Sequence, residues 1–389
     1  MNTKSVSKFL KKNTMTLALV IVVIFFAAGT GGKILLPQNI NNLFSQNGYV
    51  FILATGMLMC ILTGGNIDLS VGSVVCFCGG IGAVMMDKDI SGIWAFVVMM
   101  LVGTAIGVFQ GFWIAYVNVP PFIVTLAGMY AFRGLSNVVL NGYSIGVSDK
   151  AFLNVFGGGA DCYIPDFIGR GSDINITCMV AGIIIVAVMV VLNMKTWIRR
   201  KMKGYTTDSL SGEVIKLVIL SAVILYLTWN LSNYKGIPTV LIWILGTLLI
   251  YDYITRRTAI GRYLYAVGGN RKATELSGVD TKKVFFLAYV NMGFLTGLAG
   301  VLTLARAMQG NPTFGQAYEM DAIAACFIGG ASAYGGIGTI PGMFIGAILL
   351  GVINQGMSIM GVSSNYQSVV KGLVLLVAVM FDVISKKKE

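Results

Sequence analysis

The chain has 389 residues, of which 56% are apolar and only 11% charged, with 49 glycines and a formal net charge of +12. Soluble domains carry about 25% charged residues and about 7% glycine, so a soluble core of this length would lack the charges to clothe it. A mean hydropathy of +0.80 and repeated long apolar runs mark instead a polytopic membrane protein. There is no histidine, which removes the commonest general base and metal ligand, and no metal-binding or catalytic set stands out. An intramembrane enzyme is therefore disfavoured.

In chain order, apolar runs predict twelve segments: 14–30, 49–63, 73–86, 93–117, 121–141, 176–193, 214–231, 237–255, 284–305, 322–332, 339–357 and 368–384. The expected fold is an all-α transmembrane bundle of about 10–12 spans with glycine-broken helices. The whole of 1–389 reads as one transmembrane domain, with an extracytoplasmic loop over 142–175 and a cytoplasmic segment over 256–283. Lys4 to Lys12 followed by a run ending Ala27-Ala28-Gly29 also fits a cleavable signal peptide. An uncleaved first span is preferred, because cleavage would spoil an even number of crossings.

With a cytoplasmic N-terminus, the inner segments hold 20 of the 28 basic residues: 4 before the first span, 6 in 195–216, 7 in 256–283 and 3 in the tail. The outer segments hold 6, Lys33, Lys88, Lys150, Arg170, Lys235 and Arg306, while Arg133 and Lys371 lie within spans. This is the positive-inside asymmetry, and it accounts for the net charge without nucleic acid. Both termini inside require even parity, which retains the short 322–332 segment as a crossing. All five tryptophans (Trp94, Trp113, Trp197, Trp229 and Trp243) fall near proposed span ends, as an interfacial belt does. The cysteines, Cys60, Cys76, Cys78, Cys162, Cys178 and Cys326, form no C-x-x-C and read as small buried hydrophobes; a Cys162–Cys178 disulfide on the outer side is conceivable.

Two places depart from plain helices in the same way. Each joins a short apolar stretch, a Gly-Gly pair, a polar glycine-rich break and a full span. The first break is Gly64-Gly-Asn-Ile-Asp-Leu-Ser-Val-Gly72, and the second runs from Gly329-Gly330 to Gly335-Gly-Ile-Gly338. Non-helical backbone at membrane depth is tolerated only where protein or a watery cavity surrounds it, and matched breaks point to a transport path. Close helix packing through small residues is the competing explanation. Asn66, Asp68 and Ser70 sit in the first break, and Glu319 and Asp321 at the lip of the second. Arg133, near the middle of its span, is expected to pair with one of the carboxylates, as a structural ion pair or as part of a path. Lys371, close to a span end, is placed to snorkel. No chain of buried Asp, Glu and His suggests ion coupling.

Within 256–283, Asn270 is suited to cap a helix from Arg271 to Ser277, and Gly278 to end it. Ala273 and Leu276 would then form a small apolar face outside the membrane, offered to a protein partner unless the segment is an ordinary basic loop.

The first break resembles the Gly-Gly-Ile-Asp-Leu-Ser-Val-Gly motif of the permease subunits of bacterial simple-sugar ABC importers, with Asn66 inserted. Pro121-Phe-Ile-Val-Thr-Leu126 with Arg133-Gly134 is similar to the family's next signature. Tyr265-Ala-Val-Gly-Gly-Asn270 with Leu276-Ser-Gly278 is similar to its coupling segment, and Glu319-Met-Asp-Ala-Ile-Ala-Ala325 with the second break to its C-terminal signature. The longer layout is more similar to the xylose and multiple-monosaccharide permeases than to the ribose type. The resemblance implies a translocation path including Asn66, Asp68, Ser70, Phe122, Thr125, Arg133, Glu319 and Asp321. It also implies an ATPase-coupling surface of Gly268, Gly269, Asn270, Ala273, Thr274, Glu275, Leu276, Ser277 and Gly278. The implied partners are a second permease chain, a cytoplasmic ATPase and an extracytoplasmic sugar-binding protein, in the bacterial plasma membrane. ATP would be bound by the partner: this chain has no G-x-x-x-x-G-K-[ST] loop and no cofactor of its own is expected. A gradient-driven secondary sugar transporter is the alternative.

Overall fold

In the computed structural model, residues 14–169, 172, 174–205 and 210–386 are described. Lys4 to Lys12, Arg170, Lys387 and Lys388, used above for orientation, lie outside them. Sixteen α-helices and two two-residue strands occur among the described residues. They are α1 Thr14–Gly29, α2 Pro37–Gln46, α3 Gly48–Leu62, α4 Val71–Asp87, α5 Gly92–Ala115, α6 Pro121–Leu140, α7 Lys150–Phe156, α8 Ile176–Met202, α9 Leu210–Ser232, α10 Thr239–Arg257, α11 Ala259–Gly269, α12 Arg271–Leu276, α13 Thr281–Ala307, α14 Tyr318–Ile328, α15 Ile340–Ile359 and α16 Ser364–Lys386. Each of the twelve expected segments falls on a helix.

Among the described residues, seven helices are long and apolar enough to cross a membrane, or eight if the bent pair Pro37–Gln46 and Gly48–Leu62 is one span. The fold is thus a polytopic helical bundle. One expected crossing is corrected. Segment 322–332 is the 11-residue helix α14, which at 1.5 Å per residue reaches about 16 Å, roughly half of a 30 Å hydrocarbon core. The parity argument built on it therefore lapses. α8 also runs nine residues past its expected end at 193, so Lys195, Arg199, Arg200 and Lys201 ride on helix instead of loop.

The chain divides into two compact units. The smaller, Leu35–Asn42 with Tyr163–Thr239, contains the hairpin of α8 and α9. Asn175 caps α8 by accepting from the Cys178 N–H at 2.9 Å, and Ser232 Oγ donates to the Asn175 carbonyl at 2.8 Å. Gly182 admits the Thr228 side chain against α8. Cys178 is a free thiol that donates to the Thr228 carbonyl at 3.5 Å, so the Cys162–Cys178 disulfide is not made. Ile183, Ile184, Val188, Val191, Ile215, Val218 and Ile219 are exposed, the apolar exterior a lipid-facing hairpin needs.

The larger unit, Met1–Ile34 with Leu43–Cys162 and Val240–Glu389, is built around α3 and α13. All of α3 except Tyr49 is buried, as befits a helix apolar on every side. α13 packs on α3, α4 and α5. Its crossing with α5 is backbone on backbone. Gly103, Gly107 and Gly111 repeat every fourth residue along α5, and Gly293 and Gly297 do so along α13. A Cβ added to Gly103, Gly107 or Gly293 would overlap the facing main chain. Small residues at this spacing let membrane helices gain dispersion energy where lipid supplies no hydrophobic drive. This use of glycine for packing therefore coexists with its use in the breaks.

The segment expected as a polar loop over 142–175 is ordered at its start. β1, Ile145–Gly146, pairs antiparallel with β2, Gln309–Gly310. Asp149 then caps α7 by accepting from the Phe152 N–H at 3.1 Å, and it also accepts from the Gly92 N–H at 2.8 Å. These backbone donors hold the Asp149 carboxyl below its ordinary pKa. Phe156 stacks on Phe96 and on Trp243, with ring centroids 5.0 Å apart in both pairs.

Gly107→Leu should open the α5–α13 crossing. Overpacking of this kind costs about 1–3 kcal/mol, so the purified variant should melt several degrees below the parent in the same detergent. An unchanged melting temperature would mean the crossing contributes little.

Candidate functional site

The two glycine-rich breaks, far apart in sequence, touch each other and the end of α11. The Gly336 N–H donates to the Leu62 carbonyl at 3.1 Å, which joins the second break to the last turn of α3. A Cβ on Gly65 would strike the Ala333 carbonyl, one on Gly335 the backbone of Gly64, and one on Gly268 both Leu62 and Gly336. Tyr265 Oη donates to the Gly338 carbonyl at 2.8 Å. The chain thus brings three Gly-Gly pairs, 64–65, 335–336 and 268–269, into one junction, and all but Gly268 and Gly269 have positive φ. Only glycine permits both the approach and those dihedrals at low cost.

Behind the junction the first break is braced by side chains. Asp68, 3% exposed, accepts from the Ser70 N–H at 2.8 Å and from Ser70 Oγ at 2.7 Å. Gln110 Nε2 donates to Ser70 Oγ at 2.8 Å, so the hydroxyl is used in both directions. Inserted Asn66 stays within the turn, its Nδ2 donating to Thr63 Oγ1 at 3.1 Å. Gly72 meets Gly315 main chain to main chain, which joins the start of α4 to the loop before α14.

Arg133 and the carboxylates are arranged differently from expectation. Arg133 Nη1 donates to the carbonyls of Pro312 and Phe314, at 3.2 and 2.5 Å, and so braces the loop 311–317 in place of an ion pair. Glu319 is half-buried, its carboxylate close to Gly72 where that residue meets Gly315 of the same loop. Asp321 is taken instead by Lys371, whose Nζ lies 2.9 Å from Oδ1, and by Tyr49, whose Oη donates to Oδ2 at 2.7 Å. Lys371 therefore binds α16 to α14 and does not snorkel; α14 also packs directly on α16. Tyr49 in turn stacks on Tyr318, with ring centroids 3.6 Å apart. Thr125 is fully buried and bonds back to the Pro121 carbonyl of its own helix at 2.9 Å, whereas Phe122 on the same turn is exposed. Asn66, Asp68 and Ser70 are thus together in one turn, and Arg133 and Glu319 beside one loop, while Asp321 belongs to a separate pair.

The short helix expected within 256–283 forms as the sequence indicates. Asn270 caps α12 by accepting from the Ala273 N–H at 3.0 Å, and Gly278 ends it at φ +83; the helix stops one residue early, at Leu276. Leu276 is 91% exposed and Ala273 is also exposed. Thr274 points the other way: it is 6% exposed and donates to the Asn270 carbonyl at 2.8 Å. Glu275 is engaged at home, pairing with Arg271 at 3.1 Å and accepting from Thr281 Oγ1 at 2.5 Å. The Thr281 hydroxyl, then Arg271, hold its carboxyl below the ordinary range. Arg271 also lies over the Phe285 ring, 5.0 Å from its centroid.

Between the first break, the α5–α6 turn and the end of α11 lies a half-open cavity of about 380 Å³, lined among others by Thr63, Asn66, Asn118, Pro120, Gly269, Arg271 and Phe285. Sequence reasoning missed this cavity, the Tyr265 bond and the Tyr49–Asp321–Lys371 network. Only the Gly268-Gly269 pair, odd inside a surface helix, signalled the junction.

A helical bundle with matched breaks packed against each other, and a capped helix projecting from the same junction, defines a membrane transport protein of the permease class. The chain matches the family described as "Branched-chain amino acid transport system / permease component" over residues 39–161 and 171–379; it belongs to that permease family. It is 34% identical over 380 residues to the xylose transport system permease protein of Haemophilus influenzae, covering 96% of each chain. To the Escherichia coli protein of the same name it is 33% identical over 378 residues, 96% of this chain and 92% of that one. The ribose import permease protein of Escherichia coli is 32% identical over 346 residues, 89% of this chain and 85% of that one. No solved structure matches the chain significantly. The fuller coverage by the xylose proteins agrees with the layout read from the sequence.

Lys371→Met should strand the Asp321 carboxylate, and breaking a buried pair from one side costs about 3–5 kcal/mol. Adding Asp321→Asn should recover most of that loss; thermal unfolding of the two variants checks it, and equal stability of single and double variants would count against the pair. At Glu275, the lowered pKa means that stabilisation of α12 is complete above about pH 4.3, the ordinary Glu value. It is then lost as pH falls through the depressed folded value. Hydrogen exchange of the 271–278 amides, corrected for intrinsic rates, should lose protection on acidification, and Glu275→Gln should flatten that dependence.

Proposed function

We propose that this chain is the membrane subunit of an ATP-driven importer that passes a monosaccharide, xylose or a related pentose or hexose, across the bacterial plasma membrane. What carries the reading is similarity along nearly the whole chain to permeases of xylose and ribose transport. The exposed Leu276 on a capped helix supports a docked partner. In this reading Ala273 and Leu276 seat against a cytoplasmic ATPase, which alone binds ATP. A sugar-binding protein delivers cargo from outside, two copies of the chain pair, and both termini are cytoplasmic, as the distribution of basic residues favours.

The junction supplies the mechanics. A push on α12 reaches α11 directly, because Asn270 both ends one helix and caps the other. From α11 it passes through Gly268 and Tyr265 to both breaks at once. Main chain in contact with main chain has no flexible side chain to absorb the displacement, so the spans move as bodies about the breaks, a hinge-and-shear motion. Asn66, Phe122, Arg133 and Glu319 border the path, while Asp68, Ser70, Thr125 and Asp321 hold its walls in place.

In vesicles containing the chain, its ATPase and the binding protein, xylose uptake should require ATP and persist with an ionophore. Uptake by the chain alone, abolished by an ionophore, would replace this reading with a gradient-driven carrier. Cysteine at Ala273 or Leu276 should cross-link to the ATPase, and cysteine at buried Thr274 should not. Leu276→Asp should weaken ATPase association by roughly 30-fold, the loss of a 2 kcal/mol interface anchor.

A further inference from the structure

The half-open cavity beside the junction has the chemistry of a binding site. Its polar wall is made of neutral groups. Asn66 commits Nδ2 to Thr63 and keeps Oδ1 as an acceptor. Asn118, at φ +61, makes only a long 3.4 Å contact from Nδ2 to the Tyr116 carbonyl. Asn270 uses Oδ1 for capping and keeps its amide donors. The opposite wall is apolar and includes Phe285. Arg271 is the one charged residue among the lining side chains, and it is already paired with Glu275 and stacked on Phe285. A cation would find no carboxylate there, and an anion would find a guanidinium whose charge is matched.

We infer that this cavity binds a neutral monosaccharide: amide donors and acceptors for its hydroxyls, a wall of Val119, Pro120 and Pro121 for its C–H face, and a volume within the 300–1,000 Å³ range of small-molecule pockets. The inference rests on the importer reading, and gives it a sugar site on the side of the coupling helix. The site is made of the first break, the α5–α6 turn and the α11–α12 corner together. A bound sugar therefore cross-links the parts through which motion of α12 is transmitted and stiffens the breaks about which the spans turn. Sugar accumulated inside the cell then resists that turning and slows further import.

The test uses the full chain in lipid nanodiscs, without ATPase or binding protein, and equilibrium dialysis against radiolabelled xylose, ribose and glucose. At least one should bind saturably. Asn66→Ala and Asn118→Gly should each weaken it, and together by roughly tenfold or more; glycine at 118 suits the left-handed backbone, so misfolding does not explain that loss. No saturable binding, binding indifferent to both substitutions, or tighter binding of xylose 5-phosphate than of xylose would each overturn the inference. In the complete vesicle system, preloading with the bound sugar should slow uptake by the parent and slow it less in Asn118→Gly; equal slowing would overturn the feedback. Parent uptake intact without nanodisc binding would sink this site alone. No ATP-dependent uptake at all would sink the importer reading.

Discussion

Main-chain N–H and C=O groups released where a helix breaks must find partners in other protein groups or in water. This constraint organises the larger unit. The chain breaks twice between apolar helices, and the breaks meet each other's backbone, Gly65 against Ala333 and Gly335 against Gly64. Side chains would prevent that approach, so glycines crowd the contact and polar bracing such as Gln110–Ser70–Asp68 is set just behind it.

The same economy explains why α11 ends on Gly268-Gly269. A helix outside the bundle communicates with the interior only by touching it, and the closest touch is backbone to backbone. The α11–α12 corner therefore belongs structurally to both the exposed helix and the glycine junction. Glycine serves a different purpose along α5 and α13, where it allows a permanent crossing with no break in either helix. Composition alone does not separate these uses. Helical context does: a Gly every fourth residue within an unbroken apolar run packs, and Gly-Gly beside Asn, Asp and Ser breaks.

Buried charge shows how far a one-dimensional reading reaches. That Arg133 needs compensation, with a carboxylate as the expected partner, follows from the cost of isolated charge in lipid, whereas Lys371 reads from sequence as free to snorkel. Which partner each finds depends on where α6, α14 and α16 cross. Arg133 lies beside the carbonyls of the 311–317 loop, and Asp321, one helix turn beyond, is reached by Lys371 from α16. Similarly, the face of α12 was legible for Leu276 but not for Thr274 and Glu275, since the local pattern says nothing of how the helix rolls against α13.

The sequence by itself determined the membrane class, the positions of the helical segments, the two breaks, the capped helix within 256–283 and, through motif order, the family. These depend on hydrophobic runs, cap chemistry and glycine dihedrals, which are properties of neighbouring residues. Tertiary structure alone decided that the breaks form one junction with α11, that 322–332 is a half-length helix, which charges pair, and that a polar cavity opens beside the junction. Those facts depend on distances between residues tens to hundreds of positions apart, such as Tyr265 and Gly338 or Tyr49 and Asp321, and only packing of the whole bundle fixes such distances.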